Sequence, residues 1–452
     1  MNEHTTYSAR ASLAVMGRMM QRMKIWETVT EKVHIGQKVI RHQPLDKLLD
    51  AFIDIVSGGH GLYEVNTRVR SDRGLQRAFG RQDCAEQSVV SDTLNACTTE
   101  TVEQMRQAVK CIYQEYGQGY SHDYAKAYQI LDVDMSGLPS GKQGEGSTKG
   151  YFAGQPHCRG RQVGRVMSTR YDEVVIDRLY PGSKQLRSSV RELVEAAEDV
   201  LDLNEVKRPR TLLRLDRGGG DQAQIDWMLE RGYCLLTKSA HWQRVERLAA
   251  GVTTWHTDPT DPARAFAWPK TPAEYARPTR QVVVRIVDSK GKPSYALLVT
   301  NAPLDLLAEL AAHPVHHLPD PDLFAIAYAY DRRSGGVETQ FKASKQGLGL
   351  TKRNKRLFAA QEMLVLLAQL AHNLIIWTRN HLARATASFR RVGILRMVRD
   401  VFHIPGRITL DDADHLRSVT LNRDHPFAQP FVTAFAPACT QYDDLLLILG
   451  QI

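Results

Sequence analysis

Three carboxylates that lie far apart in the sequence stand in settings suited to chemistry. Asp134 and Asp216 each end an apolar stretch that predicts a buried strand, and Glu338 lies on a predicted helix. Residues at the carboxyl ends of strands line the ligand sites of α/β sheets. Three carboxylates offer the hard oxygen ligands that Mg²⁺ and Mn²⁺ prefer, and such a set can hold two ions about 4 Å apart on a phosphodiester.

Each acid also has a purely structural interpretation. An aspartate after a strand often caps the next helix, and a glutamate four residues before a lysine often forms a solvated ion pair. The first acid has a rival as well. Asp132 lies two residues before Asp134 and therefore on the same face of the predicted strand.

Basic side chains accompany Glu338. Lys342 and Lys345 follow it at i+4 and i+7, so one face of a helix would carry one acid and two cations. Lysines in these positions can contact phosphate or can be ordinary solvated residues. About two turns, or ~10 Å, separate Glu338 from Lys345, so the lysine could reach a phosphate without competing for a metal.

The composition indicates an anionic partner. The 452 residues carry a formal net charge of +9, which favours DNA or RNA over the weaker alternative of an acidic membrane surface. Six cysteines without a C-x-x-C pair predict a reducing compartment and no structural zinc. We expect neither secretion nor a membrane span, because the longest apolar run is interrupted by Gln369, His372 and Asn373.

Residues 1–125 are predicted to be helical and to bind DNA. Residues 44–56 show the apolar period of a helix. Residues 71–98 predict two short helices, which could form a helix-turn-helix or an ordinary helical hairpin. Five arginines near them are expected to lie close to phosphates: Arg68, Arg70, Arg73, Arg77 and Arg81.

Strands and helices then alternate. Strands are predicted at 127–137, in two runs within 161–182, at 211–216 and at 233–238, with helices at 188–203 and 221–231. This order predicts a mixed sheet flanked by helices. The glycine-rich stretch between the first two strands lacks the spacing of a phosphate-binding P-loop, which excludes that motif.

A β-rich insertion interrupts the alternation. It contains Trp242, Trp255 and Trp268 and one clear hairpin. The Glu338 helix and a long apolar helix follow it, and the tail is basic and then predicted to be loop-rich. The predicted division is 1–125, a helical DNA-binding region; 126–238 and 327–380, the two parts of the catalytic core; 239–326, the insertion; and 381–452, the basic carboxyl-terminal region.

These features resemble the DDE transposases of bacterial insertion sequences, whose core is RNase H-like. The matching blocks are DVDMSG around Asp134, LLRLDRGGGDQAQIDWMLERGYCLLTK around Asp216 and YDRRSGGVETQFKASK around Glu338. The resemblance covers residues 127–380. In the most similar subgroup the last block reads Tyr, two residues, Arg, three residues, Glu, six residues, Lys. Here six residues separate Glu338 from Lys345, but four separate Arg333 from Glu338.

The resemblance implies an α/β fold with an RNase H-like mixed sheet, flanking helices, a β-rich insertion and a helical amino-terminal domain. It implies cleavage at transposon ends and strand transfer to target DNA. Asp134, Asp216 and Glu338 would be the catalytic residues and would ligate two Mg²⁺ or Mn²⁺ ions. Asp134 is preferred to Asp132 because the family places its first acid at the strand end, two positions before a hydroxyl residue.

The resemblance also implies which residues bind DNA. Lys345 would be an exposed lysine that contacts phosphate near the cut. Lys342, Arg333 and Tyr330 are the other expected DNA contacts. The partners would be double-stranded DNA, as terminal inverted repeats and as target, and a second copy of the chain, because transposition must join two ends. A cytoplasmic, nucleoid-associated bacterial protein is expected.

Two alternatives stay open at this point. The chain could be a catalytically silent DNA-binding protein of transposase descent, although an intact set of three acids argues against this. It could also be a metal-dependent nuclease with the same core. Terminal inverted repeats beside the coding sequence would distinguish a transposase from both.

Overall fold

The computed structural model describes residues 4–152, 155, 157–443 and 445–452. A short strand and six helices come first, and most of the helices bury one apolar face in a common core. The helix predicted at 44–56 is confirmed with these bounds. The elements are β1 (His4–Ser8), α1 (Ala11–Arg22), α2 (Ile25–Lys32), α3 (Pro44–Val56), α4 (Arg73–Ala78), α5 (Gln87–Asn95) and α6 (Thr99–Tyr116).

A mixed sheet follows, and its centre is parallel. Strand β2 pairs with β4 antiparallel and with β6 parallel, and β6 pairs with β7 parallel. With β5 beside β4, the order β5-β4-β2-β6-β7 confirms the RNase H-like mixed sheet. The elements are β2 (Gln129–Pro139), β3 (Thr148–Lys149), β4 (Arg159–Ser168), β5 (Glu173–Pro181), α7 (Val190–Leu201), β6 (Thr211–Leu215), α8 (Gln222–Glu230) and β7 (Cys234–Lys238).

The residues after β7 extend the same sheet. Strand β11 pairs antiparallel with β7, and β10, β9 and β8 continue outward from it. Helix α9 packs on β10 and β11. The elements are α9 (Trp242–Ala250), β8 (His256–Asp258), β9 (Asp261–Ala267), β10 (Arg280–Val287), β11 (Pro293–Thr300) and α10 (Leu304–Ala311).

Three helices follow: α11 (Pro321–Asp331), which packs on β9, β10 and β11, and α12 (Val337–Gly347) and α13 (Phe358–Ala385), which return to the first half of the sheet. Helix α13 is long and apolar enough to cross a membrane, but 94% of its most apolar window is buried inside the protein. It packs against β5 on one side and against α3, α5 and α6 on the other. It is therefore a core helix that joins the sheet to the amino-terminal helices.

The polar residues of α13 bind the edge of the sheet. Strand β5 pairs with β4 alone among the described strands, so its outer backbone groups need other partners. The Asn373 side chain accepts from the Val174 N–H and donates to the Val174 carbonyl, both at 2.8 Å. Gln369 makes the equivalent pair with the Asp177 N–H and the Val175 carbonyl. Polar groups inside this apolar helix therefore complete the hydrogen bonding of the strand.

Replacing Asn373 by leucine is expected to destabilise the protein by about 2–4 kcal/mol, because two buried backbone groups of β5 lose their partners. Urea unfolding of the full chain measures the loss. Asn380→Leu on the same helix is the control, since its side-chain oxygen accepts only from the neighbouring Arg379 among the described residues. Equal losses in both variants would contradict the edge-binding role.

The carboxyl-terminal region is more ordered than its sequence predicts. Strands β12 and β13 form an antiparallel pair, β14 lies parallel to β13, and the amino-terminal strand β1 pairs with β12. The expectation of a loop-rich tail is wrong because these strands find partners at the other end of the chain. The elements are α14 (Ile394–Arg396), β12 (Gly406–Leu410), β13 (Leu416–Asn422), α15 (Ala428–Asp443) and β14 (Leu446–Gly450).

The helix pair within 71–98 is not arranged as a DNA-reading unit. Helix α4 packs on α1 and β1, whereas α5 packs on α3 and α13. Arg81 is buried and bound to the buried Asp50 at 2.8 Å, and Arg73 and Arg77 both bind Asp414. Arg68 is likewise paired, with Glu64, so four of the five arginines expected near phosphates are bound to acids, although Arg73 and Arg77 share a single one.

Candidate active site

Asp134 and Asp216 lie side by side where the parallel pairing of β2 with β6 ends. Strand β2 itself continues beside β4 to Pro139, so the prediction that Asp134 ends its strand is wrong. The last paired residues of the parallel strands β2 and β6 are Val133 and Leu215, so the next residue of each strand is one of the two acids. Neighbouring strands lie about 4.8 Å apart. The Asp216 carboxylate accepts a hydrogen bond of 2.7 Å from the Gly218 N–H and thereby caps the short turn that follows β6.

Glu338 joins them through an arginine. It is the second residue of α12, and its side chain is 51% exposed. The Arg333 guanidinium lies 2.8 Å from the Glu338 carboxylate and 3.6 Å from that of Asp134. Arg333 itself is buried. A single cation therefore bridges the first and the third of the predicted acids.

Asp134 binds a proton unusually well. The pKa of this carboxyl is raised to about 7, chiefly by burial and also by the neighbouring Asp216 and Glu338, while Arg333 acts in the opposite direction. A carboxylate crowded by other acids in a buried place is held in its protonated form until positive charge arrives. The positive charge of Arg333 therefore only partly balances the negative charge of the three acids.

Asp132, the rival first acid, is used differently. It is fully buried and is held by the Arg214 guanidinium at 2.6 and 2.9 Å. The backbone of Gly336 lies directly over its carboxylate, so that a side chain at Gly336 would collide with it. Asp132 is therefore a buried structural residue that binds Arg214 and packs against Gly336, whereas Asp134 lines an open cavity.

That cavity has a volume of about 890 Å³ and is lined by both Asp134 and Asp216. Lys345 lines it too. Around the acids the rim is basic, and the further cations that line the cavity are Lys184, Arg187 and Arg217. This combination of acids and surrounding cations is suited to a ligand with several phosphates: the cations would bind the phosphates, and one phosphate would lie at the acids.

Comparison with known proteins identifies the family of the chain. The family model of the transposase DDE domain, group 1, matches residues 5–437. The chain belongs to this family. It is an enzyme that cleaves DNA and transfers strands, as the transposases of the family do.

Two further comparisons were made, with curated proteins and with solved structures. No curated protein matches the chain. Among solved structures, it is similar to the piggyBac transposase in a cryo-EM synaptic complex with hairpin DNA, at 11% identity and a TM-score of 0.41. The similarity covers 89% of this chain and 84% of that one.

The residues predicted to bind DNA lie in different surroundings. Lys342 is exposed on α12. Burial raises the pKa of Tyr330 to about 12, and the Lys238 ammonium lies 5.0 Å from the centre of its ring. Arg333 faces the acids, as described. Lys345 is partly buried, so the expectation of an exposed lysine is wrong.

Lys345 is bound to the end of β2. Its ammonium donates to the Ser136 hydroxyl at 2.8 Å and to the Gly137 carbonyl at 2.7 Å. The pKa of Lys345 is lowered to about 8, chiefly by burial and also by the nearby Arg165. The lysine therefore fixes the strand that carries Asp134 as well as facing the cavity.

Lys345→Ala is expected to destabilise the transposase by about 1–2 kcal/mol, because two hydrogen bonds from a charged donor are lost. Lys342→Ala is the matched control on the same helix, and as an exposed lysine it should change stability by less than about 0.5 kcal/mol. Urea unfolding of both variants tests this. An equally small effect at Lys345 would mean that its hydrogen bonds contribute nothing to the fold.

Some residues of the site escaped the sequence analysis. Arg214 holds Asp132, and the buried Arg165 binds Asp177 at 2.7 Å and the Ser344 hydroxyl of α12 at 3.2 Å. A visible signal existed for Arg214, because a charge inside the apolar strand Thr211–Leu215 requires a buried partner. No comparable signal links Arg165 to a serine far along the chain.

Proposed function

We propose that Asp134, Asp216 and Glu338 together hold two divalent cations, Mg²⁺ or Mn²⁺, at which the transposase cuts and joins DNA. The observation that carries the proposal is that Asp134 and Asp216 line one cavity together with basic side chains, while Arg333 links Asp134 to Glu338. Hard carboxylate oxygens are the ligands that these cations prefer.

The carboxylate oxygens of the three acids are suitable ligands for these cations, but the acids would have to move closer together to bind them. Among the described residues, no three His, Cys, Asp or Glu side chains are grouped closely enough to hold a metal ion. The Arg333 guanidinium lies between Asp134 and Glu338. We infer that it leaves this position when metal binds. The raised pKa of Asp134, caused chiefly by burial, supports the need for positive charge there.

Bound divalent cations activate the attacking water or hydroxyl and stabilise the leaving oxygen of a phosphodiester. The protein residues hold the other parts in place. Asp216 is fixed by its bond to the Gly218 N–H, and Lys345 fixes the end of the strand that carries Asp134. The cations of the rim would bind the phosphates on either side of the cut.

The proposal also includes the partners of the protein, which are duplex DNA and a second copy of the chain. Terminal inverted repeats and target DNA would be bound as duplexes by a protein of net charge +9. A homodimer on DNA would bring two ends together, and a cytoplasmic, nucleoid-associated location would give access to them. Residues 1–125 would contribute to end recognition through exposed groups such as Arg70, since the other arginines near it are paired.

Cleavage of the element's own ends tests the proposal. The purified full chain is mixed with a duplex that carries the terminal inverted repeat found beside its coding sequence, with EDTA or with Mg²⁺. We expect a cut at the repeat boundary with Mg²⁺ alone, followed by joining to a second duplex. Cleavage in EDTA, or cutting without regard to the repeat, would contradict the proposal.

Metal affinity should depend on pH through Asp134. Its pKa is raised to about 7, so below that pH a proton competes with the metal and the Mn²⁺ affinity should fall by about tenfold per pH unit. Above about pH 7 the affinity should level off. Electron paramagnetic resonance of free Mn²⁺ measures this on the full chain without DNA. A constant affinity between about pH 6 and pH 8 would contradict the role of Asp134 as a ligand.

A further inference from the structure

A second cavity opens beside the first, on the insertion. It has a volume of about 640 Å³ and is lined by the face of α9 that carries Arg244, Arg247, Leu248 and Gly251. These positions follow the i, i+3, i+4, i+7 spacing of one helix face. Gln222 and residues 270–274 form the opposite wall. We call this cavity the basic cleft, because three cations, Arg244, Arg247 and Lys270, face a single acid, Glu274.

The Arg244 guanidinium is held ready for a ligand. One of its terminal nitrogens donates to the Gln222 side chain, and the group lies 5.9 Å from the centre of the Tyr275 ring. Its other terminal nitrogen, Nη1, is buried and has no hydrogen-bond partner among the described residues. A buried donor without a partner is costly. The atom is closed off from solvent, so the guanidinium would have to turn toward the cleft before an anionic oxygen there could accept from it.

The basic cleft adjoins the cavity lined by Asp134 and Asp216, which we call the acidic cavity. Asp221 lines the acidic cavity, and the next residue, Gln222, lines the cleft. On the other side, Ala240 lines the acidic cavity and accepts a hydrogen bond from Arg217, and α9 begins two residues later. The two cavities therefore lie next to each other, with residues 221 and 222 between them.

We propose that the basic cleft binds the phosphodiester backbone of DNA next to the scissile phosphate. This rests on the proposed placement of DNA at the three acids. Arg247 and Lys270 are exposed and would neutralise phosphates, while Arg244, oriented by Gln222, would donate to a phosphate oxygen. Such contacts hold DNA without reading its sequence. The strand in the cleft belongs either to the transposon end or to target DNA.

Salt dependence of DNA binding tests the basic cleft. The full chain is titrated in EDTA against a labelled duplex of random sequence, and against one of equal length that carries the terminal inverted repeat. Arg247→Gln combined with Lys270→Gln should lower the magnitude of the slope of log affinity against log salt by about 1.8 units, since each lost phosphate contact removes about 0.9. Both side chains are exposed, so the fold should be kept.

Lys290→Gln combined with Lys292→Gln is the matched control. It removes the same charge from an exposed turn of the same insertion, and it should leave the slope unchanged. A loss with the repeat duplex alone assigns the cleft to the transposon end, and a loss with both duplexes assigns it to DNA backbone in general. An unchanged slope with both duplexes overturns the site, even where the unmodified protein binds and cleaves DNA normally.

Discussion

The Asp216→Asn transposase is expected to bind DNA as tightly as the unmodified protein and to cleave it on the order of 10³-fold more slowly, or about 4 kcal/mol in the barrier. The substitution is mild for the fold. The asparagine side-chain oxygen can still accept from the Gly218 N–H, as the aspartate does at 2.7 Å, so the turn after β6 keeps its cap. What is lost is the negative charge that a divalent cation needs from its ligand.

Asp221→Asn is the control in the same loop. Asp221 also lines the cavity and also caps a helix, since it accepts from the Ala223 N–H at the start of α8. Its replacement removes the same charge five residues away and should leave cleavage near that of the unmodified protein. Single-turnover cleavage in Mg²⁺ compares the two. Similar rates for both variants would show that charge in the cavity, rather than Asp216 itself, matters.

Asp134→Asn and Glu338→Gln should behave as Asp216→Asn does. Ligands that act as one unit are not additive, so double variants should be no slower than single ones. A further large loss in a double variant would indicate that one acid has a separate function.

The sequence predicted the parts of the site that local patterns determine. Strands with apolar residues on both faces are typical of the centre of a parallel sheet, and two such stretches drew attention to the acids Asp134 and Asp216. Asp216 does follow the end of its strand, whereas β2 continues past Asp134 to Pro139, because its pairing with β4 is not visible in a local pattern. The order of strands and helices then determined which strands are neighbours. The hairpin of the insertion was also visible, because two apolar runs flank a turn-forming stretch.

What escaped prediction depends on partners far away in the chain. Gln369 and Asn373 interrupt an apolar run, and only the structure shows that they bind β5, which lies more than 190 residues earlier. The arginines of the amino-terminal region looked like phosphate contacts for the same reason. Asp414, which pairs with Arg73 and Arg77, lies 341 and 337 residues away, and a local pattern cannot reveal it. Only Glu64, four residues before Arg68, was open to a local prediction.

Arg333→Met is expected to bind Mn²⁺ at least about tenfold more tightly than the unmodified transposase, because a cation close to the metal position is removed. The guanidinium lies 2.8 Å from Glu338 and 3.6 Å from Asp134, and it competes with a divalent cation for the same two carboxylates. Methionine keeps much of the side-chain volume without the charge. The measurement is made at about pH 8, where Asp134, with its pKa raised to about 7, is mostly ionised.

Arg333→Lys is the control for charge, and it should bind Mn²⁺ about as weakly as the unmodified protein. Cleavage should respond in the opposite direction to metal affinity. If Arg333 moves onto a DNA phosphate when metal displaces it, Arg333→Met will bind metal better and yet cut DNA more slowly.

Without Arg333, the two acids also lose their buried partner, so the metal-free variant should unfold at lower urea and gain more stability from Mn²⁺. Weaker Mn²⁺ binding by Arg333→Met would show instead that the arginine organises the acids for the metal.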